Sequence, residues 1–387
     1  MKIAMVFDGI GFGGITSVGI AYIRILLKLG YHVDIYNLSK STEKEVDIPT
    51  ECNIYRKSLN SWLCPEKYCG GVKRYWWGRF AYPVIYLILS LYICFKRIFE
   101  HNKEKYDIVI AFSGHWNDLT YVVKNFINAK YKIGWLHGAL YQYLLTNDGY
   151  LNLYRDLKNL VVIVDKVQEE TLIYNSFVKL NIFKIPNPTF ILERKINYDK
   201  VNKLKEKYGD FWIMAALLMQ PKDHLTLFKA LNLLREKYEY KPKLLLLGDG
   251  PNRKYIEDLI EKFNLQEQVV LCGNVNDIEN YYTACYALVH SSKLEGVAMV
   301  VLEALLFSKP VVVTNCGFGI EEILSGIKSK LICEVGDYEC MAKYMFKLSN
   351  DKKFYNEFKR ETFLYMNKFM PENIEKKLVH FFNNLRM

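Results

Sequence analysis

Ser291-Ser292-Lys293-Leu294-Glu295-Gly296-Val297-Ala298-Met299-Val300-Val301-Leu302-Glu303-Ala304 is the stretch on which the reading of this chain turns. Ala287-Leu288-Val289-His290 precedes it, a short apolar run of the kind that makes a buried strand. After it Lys309-Pro310 leads into Val311-Val312-Val313-Thr314, a second such run. Strand, turn, helix and strand in that order make one βαβ unit, with the helix expected to open inside the quoted stretch. N–H groups at a helix start lack intrahelical acceptors and can receive an anion, and Gly296 lets a ligand approach the backbone closely. If helical, the eight residues from Glu295 to Glu303 span ~12 Å. That is the reach from a sugar, past a diphosphate, to a ribose, so one carboxylate would serve sugar hydroxyls and the other ribose hydroxyls. The plainer alternative is a pair of surface glutamates favoured there by the helix dipole.

Outward from this stretch the same alternation fills the chain. In the first half, strands are expected at Lys2–Asp8, His32–Leu38, Asp107–Ser113, Lys132–His137 and Val161–Asp165. In the second they are expected at Phe211–Leu218, Lys243–Gly248, Val269–Cys272, Ala287–Ser291, Pro310–Thr314 and Lys330–Glu334. Two βαβ series in 387 residues predict an α/β protein of two Rossmann-like, doubly wound domains facing a cleft. Pro186-Asn187-Pro188 stops the first domain, and the charged stretch Glu193–Lys207 reads as linker and helix. The expected division is 1–188 and 189–370. The amphipathic stretch 371–387, with Ile374, Leu378, Phe381, Phe382 and Leu385 at helical spacing, is expected to pack back on the first domain.

Composition excludes several classes. An apolar share of 51% is ample for two cores and rules out a disordered chain. Met1-Lys2 leads straight into the strand Ile3–Phe7, so no leader is expected, and nine scattered cysteines read as free thiols. Cys64 and Cys69 have no His or second Cys pair near them to complete a zinc site. A net charge of +10 favours anionic partners, yet the basic residues are dispersed and no nucleic-acid motif occurs, so no nucleic acid is expected. The segment 72–105 differs from the rest. Lys73, Arg74 and Arg79 with Tyr75-Trp76-Trp77 precede the apolar run Phe80–Phe95, closed by Lys96-Arg97. At sixteen residues that run is short of the roughly 20 that span a bilayer, so a helix lying at a membrane surface is expected, the alternative being a buried core helix.

The quoted stretch, Leu247-Gly248-Asp249-Gly250-Pro251, Asp277–Tyr282 and Pro310–Thr314 with Gly317, Gly319 and Glu322 together resemble family 4 (group 1) glycosyltransferases of GT-B architecture, over nearly the whole chain. The resemblance implies retaining transfer of a hexosyl or N-acetylhexosaminyl group, with a UDP-sugar as substrate, to a hydroxyl acceptor, and the segment 72–105 with the basic charge points to a glycan or lipid-linked acceptor in bacterial surface polysaccharide assembly. The place implied is the cytoplasm, on the inner face of the membrane. Glu295 would contact donor-sugar hydroxyls, Gly296, Val297, Ala298 and Met299 would offer N–H groups, and Glu303 would hold the ribose. Lys222, in Gln220-Pro221-Lys222-Asp223-His224, matches the lysine that neutralises the diphosphate leaving group. In the first half, Gly13 and Gly14 of Gly11-Phe12-Gly13-Gly14 match the glycine loop that faces the donor phosphates and acceptor. His137 of Gly134-Trp135-Leu136-His137-Gly138 matches the active-site His, with His115 a further strand-end candidate. No Asp-x-Asp motif occurs, so neither a metal nor a cofactor is expected.

One position departs from the pattern. Members carry Gly-Arg-Leu ahead of the lysine, the Arg being a second phosphate ligand. Here the strand continues Ala215-Ala216-Leu217-Leu218, with Leu217 in its place. Two other readings therefore stand beside transfer: a non-catalytic nucleotide-sugar-binding assembly subunit, and a nucleotide-sugar epimerase of the same architecture.

Overall fold

All eleven expected strands form in the computed structural model, with shifted ends, those expected at Asp107–Ser113 and Lys132–His137 each starting five residues earlier, and two further strands join them. The structure describes residues 1–385 except 12, 70–74, 101, 139, 141–142, 145–146 and 148. Within the first compact unit, Met1–Pro188 with Pro371–Met387, the strands are β1 (Lys2–Phe7), β2 (His32–Asn37), β3 (Asn53–Arg56), β4 (Asn102–Ala111), β5 (Ile127–Leu136), β6 (Asn159–Val162) and β7 (Asn181–Lys184). They lie in the order β3-β2-β1-β4-β5-β6-β7, every pairing parallel. The second unit, Thr189–Met370, holds β8 (Phe211–Ala215), β9 (Lys243–Leu247), β10 (Val269–Gly273), β11 (Ala287–His290), β12 (Val311–Thr314) and β13 (Leu331–Cys333), in the parallel order β10-β9-β8-β11-β12-β13.

The two strands that the sequence reading missed, β3 and β7, are four-residue edge strands bounded by polar residues, too short and too mixed to register as apolar runs. Central strands are the opposite case. β8, β11 and β12 are buried along their whole length because helices cover both faces of a parallel sheet. In both sheets the strand order reverses at one place, between β1 and β4 and between β8 and β11. In open α/β sheets ligands bind at the carboxyl ends of the strands at such a reversal.

In the first unit an aromatic cluster of Phe7, Tyr22, Phe112 and Trp135, with ring centroids 4.7 to 5.8 Å apart, fixes β1, β4 and β5 under the helix Gly14–Lys28. Helix Pro371–Asn384 packs on this unit. Phe381 meets Phe183 at 4.6 Å, Phe382 meets Tyr31 at 5.8 Å, and Glu375 pairs with Lys28 at 2.6 Å.

Two expectations are corrected. The helix of the quoted stretch begins at Met299, not near Gly296, and ends at Leu306. Residues 291–298 are a loop, because the Glu295 N–H is taken by the Cys316 carbonyl (2.8 Å) rather than by a helical partner. The ~12 Å helical separation of the two glutamates therefore does not apply. The apolar run is also longer than the sixteen residues read from sequence. Gly78–Glu100 is one 23-residue helix, long and apolar enough by length and composition to cross a membrane, and only Gly78 and Ile93 in it are buried, which excludes the core-helix alternative. Val72, Lys73 and Arg74 lie outside the described residues.

Candidate active site

Lys222 and Glu295 stand on loops that leave the carboxyl ends of β8 and β11, the neighbouring strands at the reversal in the second unit. These loops are tied to each other through the backbone. Lys293 N–H donates to the Pro221 carbonyl (2.8 Å), Ser292 Oγ to the same carbonyl (3.0 Å) and Ser291 Oγ to the Lys222 carbonyl (3.0 Å). The result brings Lys222 Nζ within 2.5 Å of Glu295 Oε1, and His290 Nε2 donates to the same oxygen at 3.0 Å. Burial raises the Glu295 carboxyl, but the His290 hydrogen bond and charge and the Lys222 ammonium outweigh it and hold the group down at about 2. Glu295 is therefore an anion at any physiological pH, an acceptor for hydroxyl donors.

A second loop braces this one from the side. Gly317, at φ +149°, and Gly319 lie against it so closely that a Cβ on Gly317 would stand 2.3 Å from the Glu295 carbonyl oxygen. A Cβ on Gly319 would stand 2.3 Å from that of Gly296. Only glycine fits there, which explains the glycine turn after β12. Past the loop the helix from Met299 has no side-chain N-cap hydrogen bond and no acid in its first turn.

Glu303 lies one turn further in. Tyr282 Oη donates to its Oε2 at 2.9 Å. Burial dominates here and raises the carboxyl to about 7, against the lowering effects of the Tyr282 hydrogen bond and the Arg194 charge. Arg194 is itself held by Glu279 Oε2 and the Asn276 carbonyl, each at 3.2 Å.

The first unit builds its own cluster at the β1–β4 reversal. Asp8, at the end of β1, accepts from Asn117 Nδ2 at 2.5 Å, and His115 Nδ1 stands 3.3 Å from its other oxygen. Asp118 accepts the N–H groups of Gly114 and His115 at 2.8 Å each. Burial nevertheless carries its carboxyl up to about 7 against the pull of His115. His115 is raised in turn by its bond to Asp8, against burial. His137 leaves β5 and donates Nε2–H to the Phe112 carbonyl at 2.6 Å. Burial takes it down to about 4, so it is neutral at pH 7 with Nδ1 left as an acceptor. Gly13 and Gly14 begin the helix Gly14–Lys28, and a Cβ at either would meet nothing within 4 Å. Phe12 of that loop lies outside the described residues.

The structure thus brings Lys222 and Glu295 into contact, while Glu303 is held by Tyr282. Leu217, in place of the expected Arg, is 40% exposed at the end of β8. Sequence reasoning missed four partners: His290, Tyr282, Arg194 and Asp8. Two signals could have found some of them, since His290 and Asp8 each end a strand flanking a reversal. Among the described residues no group of three His, Cys, Asp or Glu side chains is arranged to hold a metal ion.

Residues 195–363 match the family described as Glycosyl transferases group 1. An uncharacterized glycosyltransferase of Haemophilus influenzae is 27% identical over 187 residues, 48% of this chain and 51% of that one. The N-acetylgalactosamine-N,N'-diacetylbacillosaminyl-diphospho-undecaprenol 4-alpha-N-acetylgalactosaminyltransferase of Campylobacter jejuni is 28% identical over 158 residues, 41% of each chain. The chain spans about half the length of the curated relatives it matches. Among solved structures, the Anabaena protein HepE in complex with UDP-glucose superposes with a TM-score of 0.76 over 99% of this chain and 100% of that one, at 17% identity. Over residues 195–363 the chain is similar to the group 1 glycosyltransferases, and over its length it has the GT-B fold.

Proposed function

We propose that this protein transfers a hexosyl or N-acetylhexosaminyl group from a UDP-sugar to a lipid-linked glycan acceptor, with retention at the anomeric carbon, in assembly of a bacterial surface polysaccharide. The observation that carries this reading is the Lys222–Glu295 contact at 2.5 Å at the strand reversal of the second unit. The acceptor hydroxyl oxygen bonds to the anomeric carbon, the bond from that carbon to the β-phosphate oxygen breaks, and UDP departs. The acceptor's proton leaves with the phosphate. Negative charge builds on the β-phosphate as the bond breaks, and an ammonium fixed beside it stabilises that charge more than it stabilises the ground state. Glu295 holds Lys222 in place. On binding, sugar hydroxyls take up Glu295, the phosphate takes the ammonium, and Glu303 receives the ribose hydroxyls. His137 as a neutral imidazole accepts a hydroxyl hydrogen bond through Nδ1 and does not serve as an acid.

The Campylobacter relative is named for a substrate on diphospho-undecaprenol, and HepE was solved with UDP-glucose, which support a lipid-linked acceptor and a UDP donor here. The site needs no metal or cofactor in this scheme, and the enzyme works in the cytoplasm at the inner membrane face. One observation favours a second reading, a nucleotide-sugar-binding subunit without turnover: the exposed Leu217 where a phosphate-binding Arg is expected. The deciding experiment is a donor screen read by nucleotide release, with and without membrane lipid extract. Transfer predicts UDP release that rises on adding extract and a lipid-soluble product. Tight UDP binding with no release from any donor establishes the subunit instead.

A further inference from the structure

Helix Gly78–Glu100 is amphipathic inside out. Its face toward the body of the first unit carries polar groups, which are engaged there. Tyr86 Oη donates to Glu66 Oε1 (3.4 Å), Lys96 Nζ to the Ser58 carbonyl (2.5 Å) and Arg97 Nη1 to the Lys124 carbonyl (3.3 Å). Lys124 closes the group by pairing with Glu66 at 2.6 Å. The opposite face repeats Phe80, Val84, Leu87, Leu91, Phe95 and Phe99 at helical spacing, all exposed, Phe80 by 77%. This stripe runs ~30 Å, larger than the scattered apolar exposure a soluble surface normally carries.

We propose that this stripe lies in the plane of an anionic bilayer, sunk to the boundary between headgroups and acyl chains. Three features select lipid as the occupant. Tyr75, Trp76 and Trp77 stand exposed just before the helix, Tyr75 stacked on Trp77 at 5.1 Å, and such rings settle at headgroup depth. The charge is on the same unit: residues 1–188 and 371–387 hold 26 Lys and Arg against 18 Asp and Glu, so they carry +8 of the chain's +10. Anionic lipid attracts that unit, while a second copy would meet like charge and a stripe without the hydrogen-bonding groups that rim protein interfaces. The helix is long enough to span. Spanning, however, would pull Tyr86, Lys96 and Arg97 off Glu66, Ser58 and Lys124 into hydrocarbon, where such groups are costly. The docking deepens the lipid-linked acceptor reading and rests on it for its purpose, while its grounds lie wholly in the first unit.

The test uses the full chain and extruded vesicles of phosphatidylcholine alone or with phosphatidylglycerol. Wild type is expected to co-sediment with the anionic vesicles at least tenfold more strongly than with the neutral ones. The pair Leu87→Glu with Leu91→Glu, which alters only exposed positions, is expected to lose that binding at least tenfold while UDP affinity and thermal unfolding stay at wild-type values. Of the nine cysteines Cys94, on this helix, alone is exposed. A fluorophore there, with Cys272 and Cys340 replaced by Ser, is expected to be quenched more by shallow than by deep bromolipids. Deepest quenching at the bilayer centre overturns the in-plane orientation. No vesicle binding by folded wild type, or a wild-type dimer that the double variant dissociates, overturns the lipid assignment. Transfer to a soluble acceptor analogue reports on the active site separately, so either reading can fail alone.

Discussion

The two units place functional groups at the same topological point and build them in opposite ways. At the β8–β11 reversal the loops are pinned backbone to backbone, Gly317 and Gly319 are filled to contact, and the ionised Glu295 is already paired with Lys222 and His290. At the β1–β4 reversal Gly13 and Gly14 face open space, although Gly114 lies close against the Trp135 carbonyl, and Asp118, with a carboxyl near 7, sits beside the Asp8–His115 pair. The difference teaches a division of labour. The second unit holds Lys222 and Glu295 in one fixed arrangement. In the first, Gly13 and Gly14 leave room, and burial holds the Asp118 carboxyl near 7.

The largest expected effect lies on the pinned side. Lys222→Ala removes the cation that meets the leaving phosphate, and turnover is expected to fall by about 10²–10³ with the fold intact. Single-turnover assays at saturating donor measure this. Turnover at the wild-type value removes Lys222 from the chemistry and with it the contrast drawn above. Glu295→Gln is expected to fall less, since a neutral amide still accepts from a sugar hydroxyl.

Next come paired glycine variants, which test whether the two loops differ as described. Gly319→Ala puts a methyl 2.3 Å from the Gly296 carbonyl and 2.8 Å from the Val297 Cα, both backbone, so the loop must move. A stability loss of about 1–3 kcal/mol is expected by thermal or urea unfolding, with weaker donor binding. Gly14→Ala touches nothing in the empty protein and should unfold like wild type. If its donor KM rises nonetheless, the methyl is meeting a ligand. If neither unfolding nor KM changes, the glycine loop has no part in the site.

How far these features could be read from sequence follows from their physics. Strands such as Val311–Thr314, buried on both faces, appear as continuous apolar runs, so the two doubly wound units were legible. The edge strands β3 and β7 were not, because one side of each lacks a neighbour. Lys222 and Glu295 could be named separately, but their contact, across 73 residues, is made by hydrogen bonds of Pro221 and Lys222 backbone carbonyls that no pattern encodes. Tyr282 and Arg194 reach Glu303 through folding alone. Helix Gly78–Glu100 is a further case. Its apolar stripe shows in the spacing, but which face the unit takes depends on Ser58, Glu66 and Lys124, remote in sequence.

A smaller effect comes from protons on the pinned side. Glu303 stands at about 7, raised by burial, so between pH 4.5 and 7 the folded protein holds a proton there that an unfolded glutamate at its ordinary 4.5 has lost. The sign for stability is therefore negative: between pH 4.5 and 7 this group lowers stability as pH rises. The sign for binding is opposite. Ribose hydroxyls donate best to the ionised carboxylate, so UDP affinity is expected to rise about tenfold from pH 6 to pH 8 and then level off. Calorimetry in two buffers of different ionisation heat should show about one proton released per UDP near pH 6. Glu303→Gln should bind more weakly and lose the pH dependence, and an unchanged slope in that variant shifts the titration to another group.

The smallest expected effect is also the one that acts on the contrast from the other direction, by adding to the pinned side. Leu217 stands two residues past β8, 40% exposed and five residues before Lys222. Leu217→Arg places a guanidinium where members of the family carry one, next to an ammonium already committed to Glu295. Two cations then share the phosphates, which strengthens the bound state and the departing UDP alike, so part of the gain is uniform binding and never reaches kcat. The expected outcome is a donor KM lowered several-fold with kcat raised less than about threefold. If UDP binds more tightly while turnover falls, release of product limits this enzyme, and the leucine at 217 keeps the nucleotide from being held too long.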